Sequence, residues 1–114
     1  LLAHPDVNVN QQNSDGDDAL MLAVAKGHST AVSMILKHPD INPNNQNDVG
    51  NTVLIKAAFL GNYDITRSIL MHPKINPSLK NNDGETPYQV ALDNEKNKVA
   101  QLIKKKVDSL LGLY

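Results

Sequence analysis

With 114 residues, 40% of them apolar and only 4% aromatic, the chain has material for one domain or a short solenoid, and its core must be built from Leu, Ile, Val and Ala. Lys and Arg number 11 against 12 Asp and Glu, so a net charge of -1 excludes any general attraction to nucleic acid or to an anionic membrane. The lack of Cys removes disulfides, thiolate nucleophiles and cysteine zinc sites, and it fits an intracellular, reducing compartment.

Residues 1–14 read as the end of one helix and the polar link that follows it, because they align with 35–48. No apolar run reaches the roughly 18 residues of a membrane span, and a start at Leu-Leu-Ala-His-Pro is expected to lie inside a longer protein, with at least half a repeat missing upstream. The next unit, 15–48, predicts a short apolar helix from Ala19 to Lys26, broken by Gly27. A second helix from Ser29 to Lys37 follows, with Val32, Ile35 and Leu36 on one face. Asp, Asn, Pro and Gly50 dominate Pro39 to Asn51, which is turn chemistry. Residues 49–82 repeat this unit. Residues 83–114 repeat it once more, but Lys106-Val107 stands where His-Pro is due, and Val99, Leu102, Ile103, Val107, Leu110 and Leu111 continue a single helical stripe. That predicts a longer closing helix, with Lys104, Lys105 and Lys106 as its solvated face, placed toward the helix C-terminus.

The period is 34 throughout: Gly16, Gly50 and Gly84; His4, His38 and His72; Asn13, Asn47 and Asn81; Ala23, Ala57 and Ala91. Units this short cannot bury an apolar face alone, so they must stack, and an elongated all-α array with a long open surface is expected. Tetratricopeptide repeats share the period. They need two long helices per repeat, though, and a dozen turn-forming residues leave no room for them.

Asp83-Gly84-Glu85-Thr86-Pro87-Tyr88 with Ala91, Gly50-Asn51-Thr52-Val53-Leu54 with Ala57-Ala58, Gly27-His28, and the pairs Ile35-Leu36 and Ile69-Leu70 together resemble the ankyrin family over nearly the entire chain. The resemblance implies a solenoid of helix-turn-helix units joined by β-hairpin-like loops. Three departures stand out: one extra residue in the link, Asp18 where Thr52 and Thr86 sit, and Met21, Ile55 and Gln89 in place of the family's His, where a side-chain hydrogen bond is expected to be lost.

As the resemblance implies, binding would use hairpin tips and the exposed face of the first helices. Carried over position by position, that surface comprises Ser14, Asp15, Asp17, Ala25 and Lys26 in the first full repeat. Asp48, Val49, Asn51, Phe59 and Leu60 form it in the second, and Asn82, Asp83, Glu85, Asp93 and Asn94 in the third. Val49, Phe59 and Leu60 would form an apolar centre between acidic flanks, as in an interface hot spot. Phe59, the chain's only Phe, either anchors a partner there or packs against the neighbouring repeat.

Other motifs have structural readings. His4, His38 and His72 sit one repeat apart, too far to share an ion when helices pack about 8–10 Å apart. Each imidazole is instead expected to hydrogen-bond the carbonyls ending its helix, while the following Pro stops it. His-Pro-Asp at 4–6 and 38–40 resembles the loop of J-domain co-chaperones, yet it recurs in register and becomes His-Pro-Lys at 72–74. The Asp15, Asp17, Asp18 cluster lacks the closing Glu of a calcium loop, since position 26 is Lys. There is no Gly-rich phosphate loop, nucleophile elbow or spaced carboxylate pair, so neither catalytic residues nor cofactors are expected. The expected function is a scaffold that binds another protein with a basic or mixed surface and an apolar anchor, not nucleic acid, membrane or a small-molecule substrate. The alternative is a targeting or substrate-binding arm of a larger enzyme or effector whose catalytic part lies upstream of Leu1.

Overall fold

Small apolar residues at a fixed period produce six short helices in the computed structural model, which describes residues 8–112. They are α1 (Ala19–Ala25), α2 (Ser29–Leu36), α3 (Val53–Leu60), α4 (Tyr63–Leu70), α5 (Pro87–Asp93) and α6 (Asn97–Leu110). The helix end expected at the start of the first half-repeat falls on residues 1–7 and lies outside the described residues.

Helices of seven or eight residues are too short to persist alone, so their ends and their packing must stabilise them. Each first helix begins at a capping side chain: Asp18 accepts from Met21 N–H, Thr52 from Ile55 N–H and Thr86 from Gln89 N–H. Gln89 closes a capping box by accepting from Thr86 N–H. Met21 and Ile55 make no such return bond because neither carries an acceptor oxygen, and both are buried in the core. The expected loss of a polar contact there is offset by apolar packing. Asp18 is itself buried, yet both its oxygens are used: Oδ1 by Met21 N–H, Oδ2 by Asn45 Nδ2 at 3.1 Å. At the equivalent junction one repeat later, Thr52 faces no such amide, because Leu79 replaces Asn45.

Packing forms two rows. The first helices α1, α3 and α5 touch in series, as do the second helices α2, α4 and α6, and each pair packs on itself, giving a block of 40 × 28 × 22 Å. Leu20, Leu54, Ile65, Ile69 and Ile103 fill the space between the rows, and Ala57 and Ala91 lie fully buried where first helices cross. The third repeat's far side is different. Gln89 is exposed where Ile55 is buried, and Lys104, ion-paired with Asp108 at 2.8 Å, stands where Leu70 is buried.

The closing helix is longer, as expected, but its stripe does not stay covered. Val99 and Ile103 are buried, whereas Leu110 and Leu111 are 58% and 69% exposed. α6 has 14 residues against eight in α4, so its last turns run past the helix that covers it. Nor do the lysines reach the C-terminus: no base occupies the last turn of α6.

The links join by amides more than by paired strands, and no strand forms among the described residues. One backbone bond connects successive tips, Asp48 N–H to Asp15 O at 3.1 Å and Asn82 N–H to Val49 O at 3.0 Å. Side chains add the rest. Gln12 Nε2 donates to Gly16 O and to Gln46 O one repeat on, and Gln46 Nε2 does the same to Gly50 O and Lys80 O. Asn10 and Asn44 each donate to the following link and accept a backbone N–H from it. These side-chain amides form a polar ladder that pairs backbone groups of successive links.

His4 lies outside the described residues, and His38 and His72 act differently from expectation. Nδ1 of His38 accepts from Asp40 N–H and that of His72 from Lys74 N–H, both at 3.1 Å. Pro at the intervening position turns the chain away from the helix, so the imidazole meets the N–H two residues on rather than the carbonyls behind it.

Candidate functional site

The row of first helices leaves an apolar pair exposed at its centre. α3 is apolar on nearly all sides: Val53, Leu54, Ile55, Ala57 and Ala58 are buried, and only Lys56 is polar. Two apolar residues are therefore left over. Phe59 is 57% and Leu60 45% exposed at the C-terminal end of the helix. A residue so exposed is not part of the buried core.

Around it lies a groove of about 520 Å³. Phe59, Leu60, Ala25 and Val90 supply its apolar lining, from three successive first helices. Lys56, Glu85, Asn51, Asn81 and Asn94 supply its polar rim. Turn geometry fixes that rim. Asn81 Oδ1 accepts from Asp83 and Glu85 N–H, while its Nδ2 donates to Asn51 Oδ1 at 3.2 Å and Glu85 Oε1 at 3.0 Å. Asn47 repeats the arrangement one unit earlier, donating to Asp17 Oδ1 at 2.9 Å. Lys56 Nζ stands 3.7 Å from the same Asp17 oxygen. Asn94 Nδ2 donates back to Val90 O at 2.8 Å.

Of the residues expected from the sequence, Ala25, Asn51, Phe59, Leu60, Glu85 and Asn94 come together in this groove. Asp17 touches it through Lys56. Asp15, Val49 and Asp83 lie on the hairpin tips, exposed and outside the groove, and Lys26 and Asp93 are exposed at helix ends. Val49 is therefore not part of one apolar centre with Phe59. It precedes α3 and Phe59 nearly ends it, so at 1.5 Å per residue the helix alone separates them by about 9 Å. Lys56 and Asn81 were not anticipated. Lys56 was within reach of sequence reasoning, since 56, 59 and 60 share the i, i+3, i+4 face.

On the tips, outside the groove, Asp15, Asp48 and Asp83 are exposed carboxylates. Among the described residues no three His, Asp or Glu side chains converge where they could hold a metal ion, and no helix is long and apolar enough to cross a membrane.

A family model for ankyrin repeats in three copies matches residues 1–81 and again 41–110. No curated protein matches the chain. Ankyrin repeats are generally protein–protein interaction modules and typically non-catalytic. Helix pairs in two rows, a tip-to-tip ladder and a family match over nearly the entire sequence agree, and the chain belongs to the ankyrin-repeat family.

Proposed function

We propose that the inner groove and the acidic tips together bind a partner protein that presents an apolar anchor flanked by basic residues. The observation that carries this reading is the exposed Phe59–Leu60 pair in a groove lined by three repeats. Exposed aromatic surface in a recess is costly to leave in water and is the usual substance of an interface hot spot. The exposed carboxylates of Asp15, Asp48 and Asp83 would steer a basic rim, acting mainly on encounter. The groove's own charges contribute less, because Lys56 lies beside Asp17 and Glu85 accepts from Asn81.

Selection of binders from a displayed peptide library against the whole chain tests the reading. Binders should carry Lys or Arg beside an aromatic or aliphatic residue. Phe59→Ala should weaken them by about 2 kcal/mol or more, with thermal stability almost unchanged because the ring is mostly exposed. Neutralising Asp15 and Asp83 should instead slow association and flatten its salt dependence. A set of binders indifferent to Phe59 would refute the groove as the docking surface.

A further inference from the structure

The net charge of -1 conceals a separation. Carboxylates crowd the tips, while the outer row, at the seam between α4 and α6, is basic. Two adjoining depressions of about 590 and 480 Å³ run along that seam and share Leu102 and Lys105. Their floor is apolar, formed by Tyr63, Leu70, Leu102 and a Met71 that is 71% exposed. Their edges are Arg67, Lys98, Lys105 and Lys106, and no carboxylate lines either depression. Among the described residues, ion pairs join Lys56 to Asp17 and Lys104 to Asp108, and none engages these four cations. Asp64 and Asp108 lie on the same two helices but outside the seam's lining.

Periodicity does not account for this patch. Lys98 stands where Asp64 and Thr30 stand in earlier repeats, and Lys106 where His72 and His38 stand. The matching depression between α2 and α4, about 270 Å³, has one lysine and one histidine, with two serines and a proline beside Leu36 and Met71. A face serving solubility alone would not keep Met71 uncovered beside its lysines.

We infer that the α4–α6 seam is a second docking groove, which takes an amphipathic helix of a partner protein bearing acidic residues on either side of an apolar stripe. Charge complementarity names the acidic flanks, and the apolar floor names the stripe. The seam is about 12 Å long, from the eight residues of α4 at 1.5 Å each, enough for about two helical turns laid between two others. A nucleic acid would find Tyr63 as the single aromatic side chain of the lining for stacking. No residue lines both this seam and the Phe59 groove, so the two surfaces can be occupied separately.

The test uses a synthetic helical peptide of roughly 14 residues, with Leu at i, i+3, i+4 positions and Glu on both sides. Its order-scrambled counterpart, phosphatidylserine vesicles and a single-stranded oligonucleotide are the alternatives. Amide shifts of the whole chain should change along Tyr63, Arg67, Met71, Leu102 and Lys105 with the ordered peptide. Affinity should fall about tenfold or more in the double variant Arg67→Glu, Lys105→Glu, since each reversal turns attraction into repulsion, and should not change in Phe59→Ala. Both reversed residues are exposed; should the variant still fail to fold, raising the salt on the unmodified chain must weaken binding in the same way. Equal binding of the scrambled peptide, binding of vesicles or oligonucleotide without the ordered peptide, or shifts confined to the Phe59 groove would each overturn the inference.

Discussion

The middle repeat and the last one obey the same period with opposite chemistry. Leu54, Ile55 and Leu70 are buried between neighbours, while Tyr88 is half-buried and Gln89 and Lys104 are exposed at the equivalent positions. Backbone geometry hardly differs: Gly50 and Gly84 both sit in the left-handed region, at φ +80° and +78°. What differs among the described residues is that α5 and α6 pack on the middle repeat's far side. Period therefore dictates conformation, and the neighbour dictates which side chain that conformation can carry.

The sharpest break of this comparison is at those two glycines. A Cβ on Gly50 would lie 2.6 Å from Asn82 N and 2.5 Å from Asn82 Oδ1, while one on Gly84 would meet nothing within 4 Å. Gly50→Ala should cost about 3 kcal/mol, combining left-handed strain with a displaced tip contact. Gly84→Ala should cost about 1 kcal/mol from strain alone. Urea unfolding of both variants measures the gap; equal losses would mean that the tips do not hold the repeats together.

How much of this was legible follows from what a period encodes. Gly50, Ala57 and Ile69-Leu70 announced turn, crossing and core, because each must satisfy a constraint that recurs in every unit. The amide ladder was not legible. Asn47 reaching Asp17, or Asn45 reaching Asp18, depends on how far one repeat is displaced from the next, and turn-forming asparagines look alike whether or not they cross that distance. Phe59 and Leu60 were legible as candidates for an exposed pair, with packing of Phe59 against the neighbouring repeat left open. Carrying positions over from the family grouped Val49 with them and took no account of the length of α3. Leu110 and Leu111 continued a stripe that periodicity could orient but could not cover.

A smaller effect sharpens the same comparison. Between the helices of each pair the chain turns through a left-handed residue, Gly27 at φ +70° and Gly61 at +74°, but Glu95 holds this conformation at φ 61° in the last repeat. A side chain there costs about 1–2 kcal/mol in strain, partly returned because glycine gives the unfolded chain more freedom. Glu95→Gly should therefore stabilise the chain by about 0.5–1 kcal/mol, seen as a higher urea midpoint with an unchanged slope. A destabilised variant would show that the Glu95 side chain contributes more than its backbone costs.

The smallest expected effect concerns the link, where the middle repeat has His72 and the last has Lys106. Burial, and then the charge of Lys74, hold the His72 pKa below the ordinary histidine value. Its Nδ1 must also be unprotonated to accept from Lys74 N–H. The unfolded chain therefore takes up this proton at higher pH than the folded one, so the contribution is present above the unfolded value of about 6.5 and is lost as pH falls toward the folded value. Stability should decline on acidification through that window. Site-resolved NMR titration should find the imidazole of His72 protonating below the ordinary range, and His72→Gln should flatten the part of the pH dependence it carries. Should His72 titrate above the ordinary range, the link must be stabilised by a charged imidazole, and neither burial nor the charge of Lys74 governs this histidine.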